Sequence, residues 1–309
     1  MSAGVEAGIG AGAGRRCGFV AIVGAPNAGK STLMNRLLGA KVSIVTHKVQ
    51  TTRSRIIGVL CEGEAQFVFV DTPGIFNPRR RMERAMVAAA WHGAGDADLV
   101  LVLVDAERGV SDDVKRIKDG LKKAGRNAFL VVNKIDLVRR ETLLALVDEL
   151  NEDGIFNQTF MVSALNGDGV GDLVPALAAR LPEGEWLYPG DRLTDMNERL
   201  FAAEITREQL FLQLHQELPY ALTVETEAWQ ERDDGSVRIE QVIYVEQKSQ
   251  RGIALGKGGR KIKSVGAASR KELERLLARR VHLFLFVKVR DKWRDDPERY
   301  RAIGLEFGE

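Results

Sequence analysis

Gly24-Ala25-Pro26-Asn27-Ala28-Gly29-Lys30-Ser31 decides the fold. The octapeptide fits G-x-x-x-x-G-K-[ST], with an apolar run, Phe19 to Val23, before it and a helical pattern, Ser31 to Leu38, after it. Strand, glycine-rich turn and helix form the context in which this pattern cradles phosphates. The glycines let backbone N–H groups close around the oxygens, and the helix N-terminus adds partial positive charge. Lys30 is expected to reach the outer phosphates and Ser31 to ligate Mg2+, with Gly24 through Thr32 lining the anion.

Outward from this loop, Val/Ile/Leu/Phe-rich runs fall at Phe19–Val23, Gln66–Val70, Leu99–Val104, Phe129–Val132 and Thr159–Val162, most of them separated by helical stretches. Nearly continuous apolar strands predict an α/β domain over residues 17–181, a mostly parallel sheet with helices on both faces and ligands at the carboxyl ends of the strands. Residues 182–195, with Pro182, Gly184, Pro189 and Gly190, read as a linker. From 196 to 309 the order changes to an α+β unit. It runs as a helix (about Asn197–Leu214), two strands (about Ala221–Glu231 and Val237–Glu246) joined at Asp233-Asp234-Gly235, and a short helix near Ile253. A glycine-rich loop, a helix (about Lys261–Arg280) and a strand (Leu283–Val289) complete it.

The 309 residues suffice for two domains with cores. Cys17 and Cys61, the two cysteines, form neither a disulfide framework nor a metal spacing and suit a reducing cytosol. No apolar run reaches membrane-spanning length. Residues 1–16 are Gly/Ala-rich and end in Arg15-Arg16; without the apolar core of a signal peptide, they are expected to be a flexible tail.

Four further motifs follow in order. Asp71-Thr72-Pro73-Gly74 ends the second apolar run, where Asp71 can hold the Mg2+ shell and the Gly74 N–H can meet the terminal phosphate. Thr51 or Thr52 can complete the metal coordination. Asn133-Lys134-Ile135-Asp136 ends the fourth run, and a carboxylate at Asp136 accepts two hydrogen bonds from guanine N1–H and N2. Adenine offers neither, so ATP is expected to be rejected. Ser163-Ala164-Leu165 closes the last run, where a backbone N–H can meet guanine O6. Singly each motif is a turn or a strand cap; together, at successive strand ends, they resemble a translation-factor-type GTPase. Ile75 stands where many GTPases place a water-orienting glutamine. Lys30, Asn27 and Gly74 are the candidate catalytic residues. In related GTPases an asparagine at the place of Asn27 helps bind K+, and Thr-Thr-Arg motifs use their second threonine, which favours Thr52. Lys41 to Arg55 reads as a switch ordered by the terminal phosphate.

In the second unit, Gly256-Lys257-Gly258-Gly259 is a G-x-x-G loop between two predicted helices. Residues 248–280 hold eleven Lys/Arg against two acids, whereas the region after Leu181 holds twenty-two basic and twenty-three acidic residues. Charge concentrated around one loop is a nucleic-acid footprint. The order of elements resembles a KH type II domain, whose loop clamps RNA backbone. The candidate RNA contacts are Lys248, Arg251, Ile253, Gly256, Lys257, Gly258, Gly259, Arg260, Lys261 and Lys263, with Leu255 and Ile262 joining Ile253 on the groove floor.

Pro26 through Asn35, Gln50-Thr51-Thr52-Arg53, the two carboxylate motifs, Glu217-Leu218-Pro219-Tyr220 and Gln247 through Gly259 together resemble the bacterial Era family of GTPases. The resemblance runs from about Gly18 to the C-terminus. It implies a cytoplasmic, monomeric GTP switch with Mg2+ that binds the 3′ end of small-subunit (16S) ribosomal RNA and serves rRNA processing and assembly of the 30S subunit. Peripheral inner-membrane contact and a link to cell-cycle regulation are implied too. The rival readings are a GTPase-gated RNA-modification protein and an RNA-binding scaffold with an inactive nucleotide site. The first lacks a Cys after Leu181, where the histidines are only His215 and His282; intact Lys30, Ser31, Asp71 and Asp136 oppose the second.

Overall fold

The computed structural model describes residues 14–48, 51–53, 55–78, 80–215, 218–291, 293, 296, 297, 300 and 305–307. Residues 1–13 of the expected tail, with Gln50, Ser54 and Glu217 of the quoted motifs, lie outside them.

The five apolar runs form β1 (Arg16–Gly24), β3 (Ala65–Asp71), β4 (Leu99–Asp105), β5 (Ala128–Asn133) and β6 (Phe156–Val162). A sixth strand, β2 (Ile56–Glu62), pairs antiparallel with β3, and the sheet order is β2-β3-β1-β4-β5-β6, parallel apart from β2. The sequence reading passed over β2, although its apolar residues run into a turn at Gly63, which holds φ 54. Buried on both faces, the inner strands need no alternation of apolar and polar residues. Leu33, Met34 and Leu38 of α1 (Lys30–Leu38) and Leu173 and Leu177 of α5 (Leu173–Ala178) cover one face. The other is covered by α2 (Arg81–Asp96), α3 (Asp112–Lys123) and α4 (Arg140–Asn151), through residues such as Ala90, Ile117 and Leu146. Each such buried leucine, isoleucine or methionine side chain contributes about 1.5–3 kcal/mol. Local chemistry starts α3: Ser111 Oγ accepts the Val114 N–H, acids fill the first turn and lysines the last.

Residues 182–194 cross the end of the sheet from the start of β1, past Gln66 of β3, to β2. Gln66 Oε1 accepts the N–H groups of Leu187 and Tyr188 at 2.8 and 3.0 Å, and its Nε2 donates to the Tyr188 carbonyl at 2.8 Å. Further along, the Val59 N–H reaches the Leu193 carbonyl and Thr194 Oγ donates to the Ile57 carbonyl. The expected linker is thus tied to the first domain as far as Thr194.

The second unit comprises α6 (Glu198–Gln213), β7 (Leu222–Glu231), β8 (Val237–Val245), α7 (Lys248–Leu255), α8 (Arg260–Leu277) and β9 (Val281–Val289). Its sheet order is β7-β8-β9, with β7 antiparallel and β9 parallel to β8. The α-helices pack on one face through residues such as Leu210, Val265 and Leu273. The C-terminal segment returns to the first domain, where Tyr300 and Leu305 are buried with Met86 of α2.

Candidate functional site

The carboxyl ends of β1, β3, β5 and β6 surround a cavity of about 480 Å3, lined by Lys30, Ser31, Thr52, Gly74, Asp136 and Ala164 among others. Gly29, at φ 98, has no space for a side chain, since a Cβ would stand 2.2 Å from Asn133 Nδ2. That amide donates to the Ala28 carbonyl at 2.8 Å, while Asn133 Oδ1 accepts the Ala164 N–H at 2.9 Å. One buried asparagine therefore braces the phosphate loop against the Ser163–Leu165 loop. Lys30 Nζ donates to the Gly24 and Ala25 carbonyls at 3.1 and 3.0 Å. Burial lowers its pKa to about 8, against the pull of Asp71. A lysine that is 7% exposed at a helix N-terminus suits an anion.

Ser31 Oγ donates to Asp71 Oδ2 at 2.6 Å and lies 3.0 Å from Thr52 Oγ1, itself 3.3 Å from Asp71 Oδ2. Ser43 Oγ adds a hydrogen bond to the same oxygen at 2.9 Å. Asp71 Oδ1 is buried without a hydrogen-bond partner. Burial pushes Asp71 up, opposed first by the Ser31 hydrogen bond. Two hydroxyls and a buried carboxylate with an unused oxygen are hard donors, and they fit Mg2+. The Thr51 hydroxyl points elsewhere, to Thr46 Oγ1 at 2.7 Å and the Lys48 carbonyl at 2.8 Å.

Thr72 Oγ donates to the Ile22 carbonyl, and Pro73 is buried beside it. Gly74 presses on the phosphate loop, where a Cβ would lie 3.0 Å from Pro26. Ile75 is fully buried in the core beneath, its N–H on the Gly24 carbonyl, so its apolar side chain fills packing space. Asn27, at φ 63, donates to the His47 carbonyl at 2.8 Å. Asp136 is exposed at the rim, and Lys134 adopts φ 65. Arg36 of α1, absent from the sequence reading, donates through Nε to the Ala164 carbonyl at 3.1 Å and through Nη2 to that of Leu165. An arginine one helical face away from the phosphate loop carries no sequence signal for this job.

The segment 41–53 touches both domains. Lys41 Nζ pairs with Glu208 of α6 at 2.6 Å and Glu272 of α8 at 3.0 Å, and Glu208 Oε1 accepts the Val45 N–H. Ile44 is buried among Ala202, Ile205 and Leu273 of the second domain. Lys48 Nζ, its pKa lowered by burial, donates to the Phe211 and Leu214 carbonyls at the end of α6. Arg53 donates to the Leu222 carbonyl at 2.7 Å, and Arg207 Nη2 to that of Thr51 at 2.6 Å. The chain carrying Thr52 is thereby held to the Ser31–Asp71 cluster and to the second domain at once.

At the second glycine loop, Gly256, Gly258 and Gly259 hold φ of 70, 61 and 74. The following α8 has no acid in its first turn, and Arg260, Lys261 and Lys263 fall in its first four residues. Helix N-termini favour negative charge, so cations clustered there suit an external anion. Lys248, Arg251, Ile253, Lys257, Gly258, Arg260 and Lys263 are exposed. Three of the expected RNA contacts also have internal partners: Lys261 Nζ donates to the Gln213 carbonyl at 3.1 Å, Arg251 Nε to that of Val287 at 3.1 Å and Arg260 Nε to that of Lys257 at 3.2 Å. Leu255 and Ile262 pack against the domain core.

Residues 19–134 match the family model described as 50S ribosome-binding GTPase, and residues 217–294 match that of the KH domain. GTPase Era of Rhizobium meliloti (strain 1021) is 61% identical over 292 residues, 94% of this chain and 93% of that protein. GTPase Era of Bradyrhizobium sp. (strain ORS 278) is 59% identical over 307 residues, 99% of each. Among solved structures, Era in complex with MgGDPNP and nucleotides 1506–1542 of 16S ribosomal RNA superposes with a TM-score of 0.89 at 38% identity, covering 94% of this chain and 99% of that one. Aquifex aeolicus Era bound to GDP·AlF4−, a point variant, gives a TM-score of 0.88 at 38% identity with the same coverage.

Proposed function

The chain belongs to the Era family of GTPases, and on that premise we propose that it is a GTP-gated binder of the 3′ end of small-subunit ribosomal RNA, acting in maturation of that RNA and assembly of the 30S subunit. One observation carries the coupling: the segment bearing Thr52 is fastened both to the metal-ligand cluster and to α6 and α8 of the KH domain. The RNA assignment draws on the relative in complex with 16S ribosomal RNA, whose chain spans both domains. The description of the GTPase model names the large subunit, but that model covers residues 19–134 alone.

Lys30 and the backbone N–H groups of the phosphate loop hold the phosphates, and Asp136 selects guanine. Mg2+, held by Ser31, Thr52 and Asp71, would neutralise phosphate charge. Hydrolysis is then positioning and electrostatics, since Ile75 has no polar group with which to orient water. Asn27 meets the His47 carbonyl beside the phosphate loop, and K+ stimulation of turnover belongs to the proposal. With GTP in place Thr52 stays at the metal site and the KH domain stays docked, its glycine loop facing outward. Loss of the terminal phosphate frees residues 41–53 and with them the docking. Because the linker is tied down through Thr194, the KH domain pivots beyond that residue. Membrane contact and a cell-cycle role rest on the family alone; among the described residues no helix is long and apolar enough to cross a membrane.

The test pairs a small-subunit RNA 3′-end fragment with a scrambled control, in wild type and Gly258→Asp, across a salt series. Preference for the native fragment, steep salt dependence and loss in the variant are expected. Equal binding of both RNAs would overturn the ribosomal assignment. GTP turnover in K+ against Na+ tests the cation.

A further inference from the structure

Asp105 belongs to none of the motifs above, yet its side chain is only 5% exposed, behind two cations of the nucleotide cavity. It ends β4, opposite Asn133 in the β4–β5 register. Oδ1 accepts the Glu107 N–H at 3.0 Å. Oδ2 accepts a hydrogen bond from Lys134 Nζ at 2.5 Å and stands 3.7 Å from Arg108 Nε. Arg108 reaches on through Nη1 to the Pro26 carbonyl at 3.4 Å. Lys134 and Arg108 both line the cavity. One buried carboxylate thus connects the guanine motif to the phosphate loop.

Capping the Glu107 N–H needs an acceptor, not a charge; asparagine would serve. Burying a carboxylate costs several kcal/mol unless cations answer it, and here two do. Free lysine and arginine side chains carry large rotamer entropy. A cation already fixed on the cavity wall spares an arriving ligand that ordering cost. The Lys134 backbone is set by its φ of 65 and its side chain by Asp105.

We propose that Asp105 is a positioning residue of the nucleotide site, holding Lys134 across the cavity and Arg108 against the phosphate loop so that a guanine nucleotide meets cations already in place. The proposal rests on the nucleotide-site reading given above. The test compares wild type, Asp105→Asn, Lys134→Gln and the double variant by GDP titration and steady-state GTP hydrolysis. In Asp105→Asn, Kd for GDP and KM for GTP rise together by about ten-fold, while kcat changes less than about two-fold. The double variant binds no worse than the weaker single variant. Unchanged GDP affinity, additive losses, or a fall in kcat without a rise in KM would overturn the proposal. Should Asp105→Asn fail to fold, Lys134→Arg replaces it. Arginine keeps a cation for Asp105 and holds GDP better than glutamine does; equal losses in both overturn the idea. Absence of GDP binding by the wild-type protein would instead sink the nucleotide-site reading.

Discussion

Two glycine-rich loops, 24–31 and 256–259, are built in opposite ways. The first is a cage. Asn133 and Lys30 grip its carbonyls from within, Arg108 from the side, and a Cβ on Gly29 would collide with the Asn133 amide. The second is a rail. A Cβ on Gly258 or Gly259 would meet nothing within 4 Å, and the lysines and arginines about it are largely exposed. A cage suits one small ligand whose every oxygen is met by a fixed donor. A rail suits a polymer that supplies its own length and is held by charge.

The largest effect should come from placing a methyl group in each loop. Gly29→Ala meets both a steric collision and a positive φ, and GTP turnover is expected to fall by about 100-fold or more. Gly258→Ala meets only the backbone strain, and RNA affinity should fall by a few-fold, about 3–10. Similar losses in the two assays would erase the distinction between cage and rail. Gly258→Asp adds a negative charge to the rail, and RNA affinity measured by fluorescence anisotropy should drop about ten-fold or more, with part of the loss recovered at low salt.

Next in size is the connection between the loops. Lys48→Met removes the donor that joins residues 41–53 to the end of α6. The ratio of RNA affinities between the GTP-analogue and GDP states should shrink about five-fold toward unity, a coupling loss of about 1 kcal/mol. The Lys41 cluster gives this docking a pH dependence. Glu272 is held at about 2, first by the Arg275 hydrogen bond and then by Lys41. A depressed carboxylate stabilises above its unfolded value of 4.5 and loses that contribution as pH falls toward 2. On undocking Glu272 keeps Arg275 and loses only Lys41, so domain docking, followed by small-angle scattering, should weaken as pH falls toward 2, and Glu272→Gln should flatten that profile.

The smallest effects separate two neighbouring lysines. Lys263→Met should reduce the slope of log affinity against log salt by about 0.7, the value of one single-strand phosphate contact. Lys261→Met removes the donor to the Gln213 carbonyl and should instead lower thermal stability, by about 1 kcal/mol. Reversed outcomes would put Lys261 on the RNA.

Sequence legibility follows the same division. The cage could be read because its parts are short motifs at strand ends, each with one proposed partner: Lys30 for phosphate, Asp71 for metal, Asp136 for guanine. The parallel strands were legible as unbroken apolar runs, whereas β2, half-buried at the sheet edge, was not picked out. Arg36 and Asp105 escaped because they act through backbone carbonyls and other side chains, contacts set by tertiary register alone. On the rail, counting charge located the face but could not distinguish exposed Lys263 from Lys261, whose ammonium caps a helix end 48 positions away in the chain. The docking of residues 41–53 on α6, and of Tyr300 on Met86, likewise joins distant stretches with no shared motif.

The central claim is that nucleotide at the cage sets affinity at the rail. The most direct measurement is the Kd of the full chain for a small-subunit RNA 3′-end fragment, with Mg2+ and either GDP or a non-hydrolysable GTP analogue. The account predicts binding about ten-fold tighter with the analogue, and by reciprocity an equal tightening of the analogue by RNA. Equal RNA affinities in the two states, with both nucleotides bound, would contradict it and leave two independent modules on one chain.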